Sequence, residues 1–225
     1  MDFEQRIKYK FKNKALLTQA LTHRSYLNEH RDFGLGHNER LEFLGDAVLE
    51  LVSTEFLYKN YPDKQEGELT SVRAAIVNTV SISDAARKLD IENELLLSRG
   101  EQKDKGRARQ VILANAFEAL IGAIYLDGGY YAVAKFLKTH LLGNAEGIIS
   151  KNLWQDPKSV LQERAQDIEG ITPVYKMIKE VGPDHAKTFT VGVYLGQKLI
   201  ARGAGQSKQE AETAAAKSAL LLRKW

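Results

Sequence analysis

The sequence predicts an α+β chain in two parts, a long all-helical portion followed by a small α-β-β-β-α domain. Three observations carry this. From Lys14 to about His140 the apolar residues recur at helical spacing, and Pro62 is the one proline of that stretch. Beyond residue 155 the period changes, with Phe189, Val191, Val193 and Leu195 alternating with Thr190, Gly192 and Tyr194 as in a half-buried strand. With 225 residues, 44% of them hydrophobic, the chain can bury a sizeable core in one large domain or two modest ones. Disorder is excluded as the dominant state.

Met1–Asn13 is charged and lacks the apolar run of a signal peptide, so secretion is not expected. Asn38 stands at the N-cap of an amphipathic helix with Leu41, Leu44, Val48 and Leu51 on its core side. Val111–Leu126 is apolar nearly all round, which makes it a central helix. It is interrupted by Asn115 and Glu118 and falls short of the roughly 18 to 20 clean residues that span a bilayer, so no membrane is expected. Asp127-Gly128-Gly129 ends this helix with residues that tolerate left-handed backbone, and Tyr130–Leu142 reads as one more. Gly143–Gln155, with two glycines and weak periodicity, holds the linker; it is placed at 149–155, between domains of 1–148 and 156–225. Asp156-Pro157 caps and opens a short helix through Ile168. Pro173–Glu180 is the first strand, and Gly196-Gln197 turns the chain from the second into Lys198–Arg202. Ser207 and Glu210 form a capping box before an alanine-rich helix to about Lys224.

Lys and Arg number 32 against 29 Asp and Glu, a net charge of +3 that implies neither a polycation nor an acidic tail. The excess is not uniform. Residues 1–150 are nearly balanced, whereas 151–225 carry twelve basic and eight acidic side chains. The absence of cysteine excludes disulfides, Cys-ligated zinc and thiol catalysis, so any metal must sit on oxygen or nitrogen.

On the helix after Asn38, Glu39, Glu42, Asp46 and Glu50 fall within an arc of roughly 80° at about 100° per residue. A solvated face near a helix N-terminus is the simple explanation. Against it, no Lys or Arg lies in the arc, and Gly45, a poor helix former, sits where a close contact would demand it. In the central helix Asn115 and Glu118 are three apart and share a face. An ionised Glu in apolar surroundings requires a compensating cation, either a basic side chain or a metal. An acidic face on one helix and such a Glu on another suit an oxygen-ligand divalent site. Several carboxylates can hold two metal ions, the arrangement used for in-line displacement at phosphorus.

His37-Asn-Glu-Arg-Leu-Glu-Phe-Leu-Gly-Asp-Ala-Val-Leu49 resembles the signature of bacterial ribonuclease III, the double-stranded-RNA endonuclease. Leu21-Thr-His-Arg-Ser-Tyr26, Glu66-Gly-Glu-Leu-Thr70 and Ile112-Leu-Ala-Asn-Ala-Phe-Glu-Ala-Leu120 resemble further blocks of that family, in the family's order. The C-terminal part is similar to its double-stranded-RNA-binding domain. The resemblance implies a cytoplasmic, Mg²⁺-dependent homodimer of helical nuclease domains, with Mn²⁺ substituting and two ions per centre. Such an enzyme cuts both strands of duplex RNA, leaves 5′-phosphate and 3′-hydroxyl ends with short 3′ overhangs, and serves rRNA precursor processing and mRNA turnover. DNA is not an expected ligand.

By the same resemblance Glu42, Asp46 and Glu118 match the metal ligands and catalytic acids, and Glu39 and Glu66 match further acids of the cleft. Phe43 matches the aromatic that plugs into the dimer partner. One ligand position that is usually Asp in the family is Asn115, whose carbonyl oxygen can still ligate but brings no charge.

In the C-terminal domain Lys208 stands in the first turn of the helix capped by Ser207, where free N–H groups favour a phosphate. His185, in a loop between strands, reaches toward a minor groove, and Gln162 with Glu163 offers groups to ribose 2′-hydroxyls. These resemble the three contact regions of a fold that reads A-form shape. Gln209 replaces a lysine common beside Lys208, which removes a phosphate contact. Lys103, Lys105, Arg107 and Arg109 form another basic cluster before the central helix. The competing readings are a duplex-RNA-binding protein without catalysis, favoured by Asn115 alone, and a helical nucleotide pyrophosphohydrolase, which leaves the C-terminal domain unexplained.

Overall fold

The computed structural model describes residues 2–103, 105–152, 154–183 and 187–225. The chain divides into two compact units, Met1–Trp154 and Gln155–Trp225. In the first unit short helices α1 (Phe3–Ile7), α2 (Lys14–Ala20) and α3 (Arg24–Glu29) lead into the long α4 (Glu39–Asn60). Then come α5 (Glu66–Ile76), α6 (Thr79–Lys88), the 3₁₀ turns Ile91–Glu94 and Glu101–Lys103, and α7 (Arg107–His140).

Helix α7 is the axle of this unit, as its apolar circumference requires. Leu113, Phe117, Leu120, Ile121 and Ile124 are fully buried, and α4 and α6 lie along it. Among the described residues α7 is the helix long and apolar enough to cross a membrane by length and composition, and burial in this core accounts for that composition. The expected break after Asp127 falls at Gly129, whose φ of 75° and ψ of −173° interrupt an otherwise continuous helix. Asp127 fastens the N-terminal segment there, accepting hydrogen bonds from the Tyr9 hydroxyl at 2.7 Å and from the backbone N–H groups of Lys12 and Asn13 at 2.9 Å.

One detail departs from the sequence reading and one adds to it. Part of Gly143–Gln155 is ordered as α8 (Ala145–Ser150), and Ile148, Ile149 and Trp154 pack on the core of the first unit. Ala145, Ile148 and Ile149, spaced by a helical turn, form one apolar face that overrides the local glycines there. A parallel bridge joins Thr22 to Leu96, with His23 N–H donating to Leu96 O at 3.0 Å and Leu96 N–H to Leu21 O at 2.9 Å. This tie holds the segment between α2 and α3 against the chain entering α7.

The second unit has the expected order: α9 (Pro157–Glu169), β1 (Val174–Val181), β2 (Thr188–Leu195), β3 (Lys198–Gly205) and α10 (Lys208–Arg223). The sheet is antiparallel in the order β1-β2-β3, with Val193 opposite Ala201. Both residues pack with Leu161 of α9 and Ala215, Ala216 and Ala219 of α10. Alanines suit this face because α10 lies almost on the backbone of β3: a Cβ on Gly203 would stand 2.1 Å from the nitrogen of Ala215. Asp156 caps α9 by accepting from Lys158 and Ser159 N–H, with Pro157 in the first turn. Ser207 caps α10 through Glu210 N–H at 3.1 Å, while the Glu210 carboxylate reaches one residue further back than a capping box requires, to Gln206 N–H at 2.8 Å.

Candidate functional site

The start of α4 is fixed from beneath. Asn38 is buried, and its side chain does not cap the helix as the sequence suggested. Instead Nδ2 donates to Ala20 O at 3.3 Å, and its backbone N–H donates to Thr22 O at 2.9 Å. A buried amide is more costly to leave unpaired than an exposed helix end, so the side chain serves the core. Gln19 Nε2 adds a bond to His37 O at 3.2 Å. The first turn of α4 is thereby held against α2, and the stripe of acids is aimed from a rigid base.

The stripe then splits. Glu39 is paired with Arg24 at 3.6 Å and lies 3.8 Å from His37 Nδ1. Glu50 is bound by Arg73 of α5 at 2.8 Å, and the same guanidinium donates to Thr54 Oγ1 at 2.7 Å. These cations come from other helices, where inspection of the arc alone misses them. The two inner acids, Glu42 and Asp46, have no such partner among the described residues, and neither does Glu118 of α7.

The Glu118 and Glu42 carboxyls both feel their acidic neighbours. Burial, then the charges of Asp46 and Glu42, push the Glu118 carboxyl up to about 7. Burial, Glu39 and Asp46 raise that of Glu42, while a hydrogen bond from Asn115 opposes the shift. Asn115 is thus the polar neighbour of Glu42 on the facing helix. The helices bearing these groups cross at Gly45 and Gly122, where a Cβ on Gly45 would lie 1.8 Å from the carbonyl oxygen of Glu118 itself. The reading of Gly45 as a contact residue is met; the sequence reading missed Gly122, one turn beyond Glu118 on the same face.

The donor chemistry fits a hard divalent cation, with three carboxylates and a carboxamide from two rigid helices and no sulfur or imidazole among them. Among the described residues no three acidic or imidazole side chains are already gathered to a common ligand distance.

Glu66 is elsewhere in the protomer. It stands at the first turn of α5 beside a cavity of about 760 Å³ lined by Thr54, Leu57, Tyr58, Tyr61, Leu69 and Arg73, among others. Thr54 and Tyr58 are roughly 12 and 18 Å beyond Asp46 along α4 at about 1.5 Å per residue. Phe43 is 81% exposed, so it is not a core residue. Leu51, assigned by the sequence to the buried side, is 58% exposed, and with Phe43, Ala47 and Tyr58 it forms a surface row on α4. The helical spacing of that row was visible in the sequence, but its arc adjoins the core arc and the two were merged.

In the second unit Gln162 and Glu163 are exposed on α9, and Lys208 is exposed in the first turn of α10 beside its cap Ser207. His185 lies outside the described residues. Arg109 of the basic cluster is buried, its guanidinium donating to Glu101 O and Gln102 O at 3.2 and 3.0 Å and lying 3.3 Å from Glu92. It straps the Glu101–Lys103 turn to α7 and is not a surface cation.

A family profile described as ribonuclease-III-like matches residues 13–145, and one for the double-stranded RNA binding motif matches residues 157–222. The chain belongs to the ribonuclease III family. It is 49% identical to ribonuclease 3 of Desulforamulus reducens over 95% of this chain and 87% of that protein. Ribonuclease 3 of Borreliella afzelii is 46% identical over 97% and 89%. Among solved structures, the nuclease domain of ribonuclease III from Campylobacter jejuni superposes with a TM-score of 0.57 and 39% identity, over 63% of this chain and 95% of that one. As a ribonuclease III, the protein is an endoribonuclease with a helical nuclease domain and a double-stranded-RNA-binding domain, in a metal-dependent family.

Proposed function

We propose that the protein is a Mg²⁺-dependent endonuclease that cuts both strands of duplex RNA, leaving 5′-phosphate and 3′-hydroxyl ends with short 3′ overhangs. The observation that carries this reading is that Glu118 feels the charges of Asp46 and Glu42 across two crossing helices, with no compensating cation among the described residues. These three side chains hold the cation, two ions per centre during catalysis, and Mn²⁺ replaces Mg²⁺. The bound ions supply activation of water and stabilisation of the leaving oxygen. Glu118 is the least replaceable acid, since burial makes its charge the most dependent on a cation. Asn115 orders Glu42 and offers an oxygen without charge, which raises the Mg²⁺ concentration the enzyme needs. Glu39, held by Arg24, lines the edge of the cleft.

The second unit binds the duplex by its A-form shape, through Gln162 and Glu163 of α9, the loop containing His185, and Ser207 with Lys208 at the N-terminus of α10. DNA duplexes lack the 2′-hydroxyls this mode needs. The enzyme acts as a homodimer, as the Campylobacter jejuni nuclease domain does. Its exposed Phe43 and the apolar row along α4 supply the contact, and Glu66 is a further acid of the cleft. The cellular setting is the cytoplasm, in rRNA precursor processing and mRNA turnover.

The test is a gel assay of end-labelled RNA duplex, single-stranded RNA and DNA duplex with Mg²⁺ titrated from zero. Cleavage confined to the RNA duplex and dependent on Mg²⁺ is expected, with ends that accept ligation as 5′-phosphates. Duplex binding without cleavage at any Mg²⁺ or Mn²⁺ concentration contradicts the assignment.

A further inference from the structure

The carboxylates of the site are carried by two helices whose backbones touch, and the touching residues are glycines next to the ligands. Gly45 lies between Glu42 and Asp46 on α4. A Cβ there would stand 1.8 Å from the carbonyl oxygen of Glu118 and 2.6 Å from its carbonyl carbon. Gly122 reciprocates from α7, one turn after Glu118, where a Cβ would stand 2.2 Å from the carbonyl oxygen of Leu41, the neighbour of Glu42. Real Cβ contacts essentially never fall under 3.0 Å, and ordinary ones lie at 3.4–4 Å. The obstructing atoms belong to helical backbone, which cannot swing aside as a side chain does. A methyl group at either position therefore moves one helix from the other by about an ångström. Glycine is not tolerated here for want of anything better: elsewhere Gly67 in α5 and Gly147 in α8 have nothing within 4 Å of an added Cβ.

We propose that Gly45 and Gly122 are positioning residues of the catalytic centre, setting by backbone contact the gap across which Glu42 and Asp46 face Glu118. This rests on the reading of that centre as a divalent-cation site. Magnitudes separate an effect on ligation from one on folding. Metal–oxygen distances for Mg²⁺ are about 2.0–2.1 Å and tolerate only about 0.2 Å, so a shift of an ångström removes a ligand. The remainder of the interface, including Leu113, Phe117 and Leu120, keeps its burial in the core. Alanine is also the better helix former, which offsets part of the loss in packing.

The experiment measures Mn²⁺ binding to the full chain by calorimetry or electron paramagnetic resonance, without RNA. The parent is expected to bind Mn²⁺. Gly45→Ala and Gly122→Ala are expected to retain helical circular dichroism and duplex-RNA affinity in EDTA, while binding Mn²⁺ roughly tenfold or more weakly. Gly147→Ala should match the parent. In the Gly45→Ala background, Asp46→Glu lengthens the reach by one methylene and should recover part of the Mn²⁺ affinity; in the parent it should reduce it. Parent-like Mn²⁺ affinity in folded Gly45→Ala and Gly122→Ala overturns the proposal.

If both alanine variants fail to fold, side-chain length on the parent backbone decides the matter. With a fixed gap, Glu118→Asp loses Mn²⁺ affinity and Asp46→Glu combined with Glu118→Asp regains most of it. Equal affinity across that series means the gap adjusts freely, and overturns the proposal. A parent that binds no Mn²⁺ overturns the cation-site reading itself, and this proposal with it.

Discussion

The two units solve the same packing problem and use the result differently. In each, a helix is drawn onto a neighbouring backbone through glycine, α7 onto α4 at Gly45 and Gly122, and α10 onto β3 at Gly203. In the second unit acids are answered by cations between α9 and α10, with Lys158 paired to Glu212 at 2.5 Å and Arg223 to Glu169 at 2.6 Å. In the first, the close approach brings Glu118 toward Glu42 and Asp46 without an answering cation among the described residues, and the Glu118 carboxyl is pushed up to about 7. The contrast is one of charge balance. Charges balanced within the fold leave a stable surface for RNA, whereas charges left unbalanced in a half-buried cleft are completed by a ligand.

The comparison breaks most readily by separating the units. Truncation after Trp154 keeps α8 and leaves the Trp154 ring under Lys64, 4.7 Å from Nζ. Duplex affinity at physiological salt should then fall on the order of a hundredfold in a filter-binding assay, with a smaller loss at low salt, because the phosphate contacts of the second unit are gone. Unchanged affinity would place recognition in the nuclease unit.

Asn115→Asp sharpens the account of the unbalanced cleft. It adds a fourth carboxylate, and the Mg²⁺ concentration for half-maximal cleavage should fall by about tenfold. A rise in that concentration would show that the hydrogen bond from Asn115 to Glu42 matters more than the charge.

The same cleft predicts a pH effect on stability in EDTA. The raised carboxyl of Glu118 binds its proton more tightly folded than unfolded, so its favourable contribution is full below about 4.5 and is lost as pH rises through about 7. Thermal unfolding should show Glu118→Gln melting above the parent at pH 8, the gap closing toward pH 4.5. The smallest effect is expected in the balanced unit: Ser207→Ala removes the cap on Glu210 N–H and should cost that unit about 1 kcal/mol, with a modest fall in RNA affinity.

Much of this was legible in the sequence because it depends on local chemistry. Asp156-Pro157, the alternation through Phe189–Leu195 and the glycine break after Asp127 each act within a few residues, and each appears in the fold. The stripe of Glu39, Glu42, Asp46 and Glu50 and the lone Glu118 of an apolar helix were legible from the pattern, while the choice of Glu42 and Asp46 within the stripe rested on the family resemblance. What escaped is set by distant parts of the chain. Arg24 and Arg73 neutralise Glu39 and Glu50 from other helices. Asn38 turned from cap to core because Ala20 lies beneath it. Leu51 faces outward since its arc adjoins the core arc, and α8 formed because Ile148 and Ile149 found a surface.

The most direct test compares binding and cleavage in Glu118→Gln under one set of conditions. The amide keeps the size of the carboxylate and removes the charge that calls for the cation. The account predicts duplex-RNA affinity equal to that of the parent, together with cleavage reduced by more than about a hundredfold at any Mg²⁺ concentration. Cleavage close to the parent rate would contradict it.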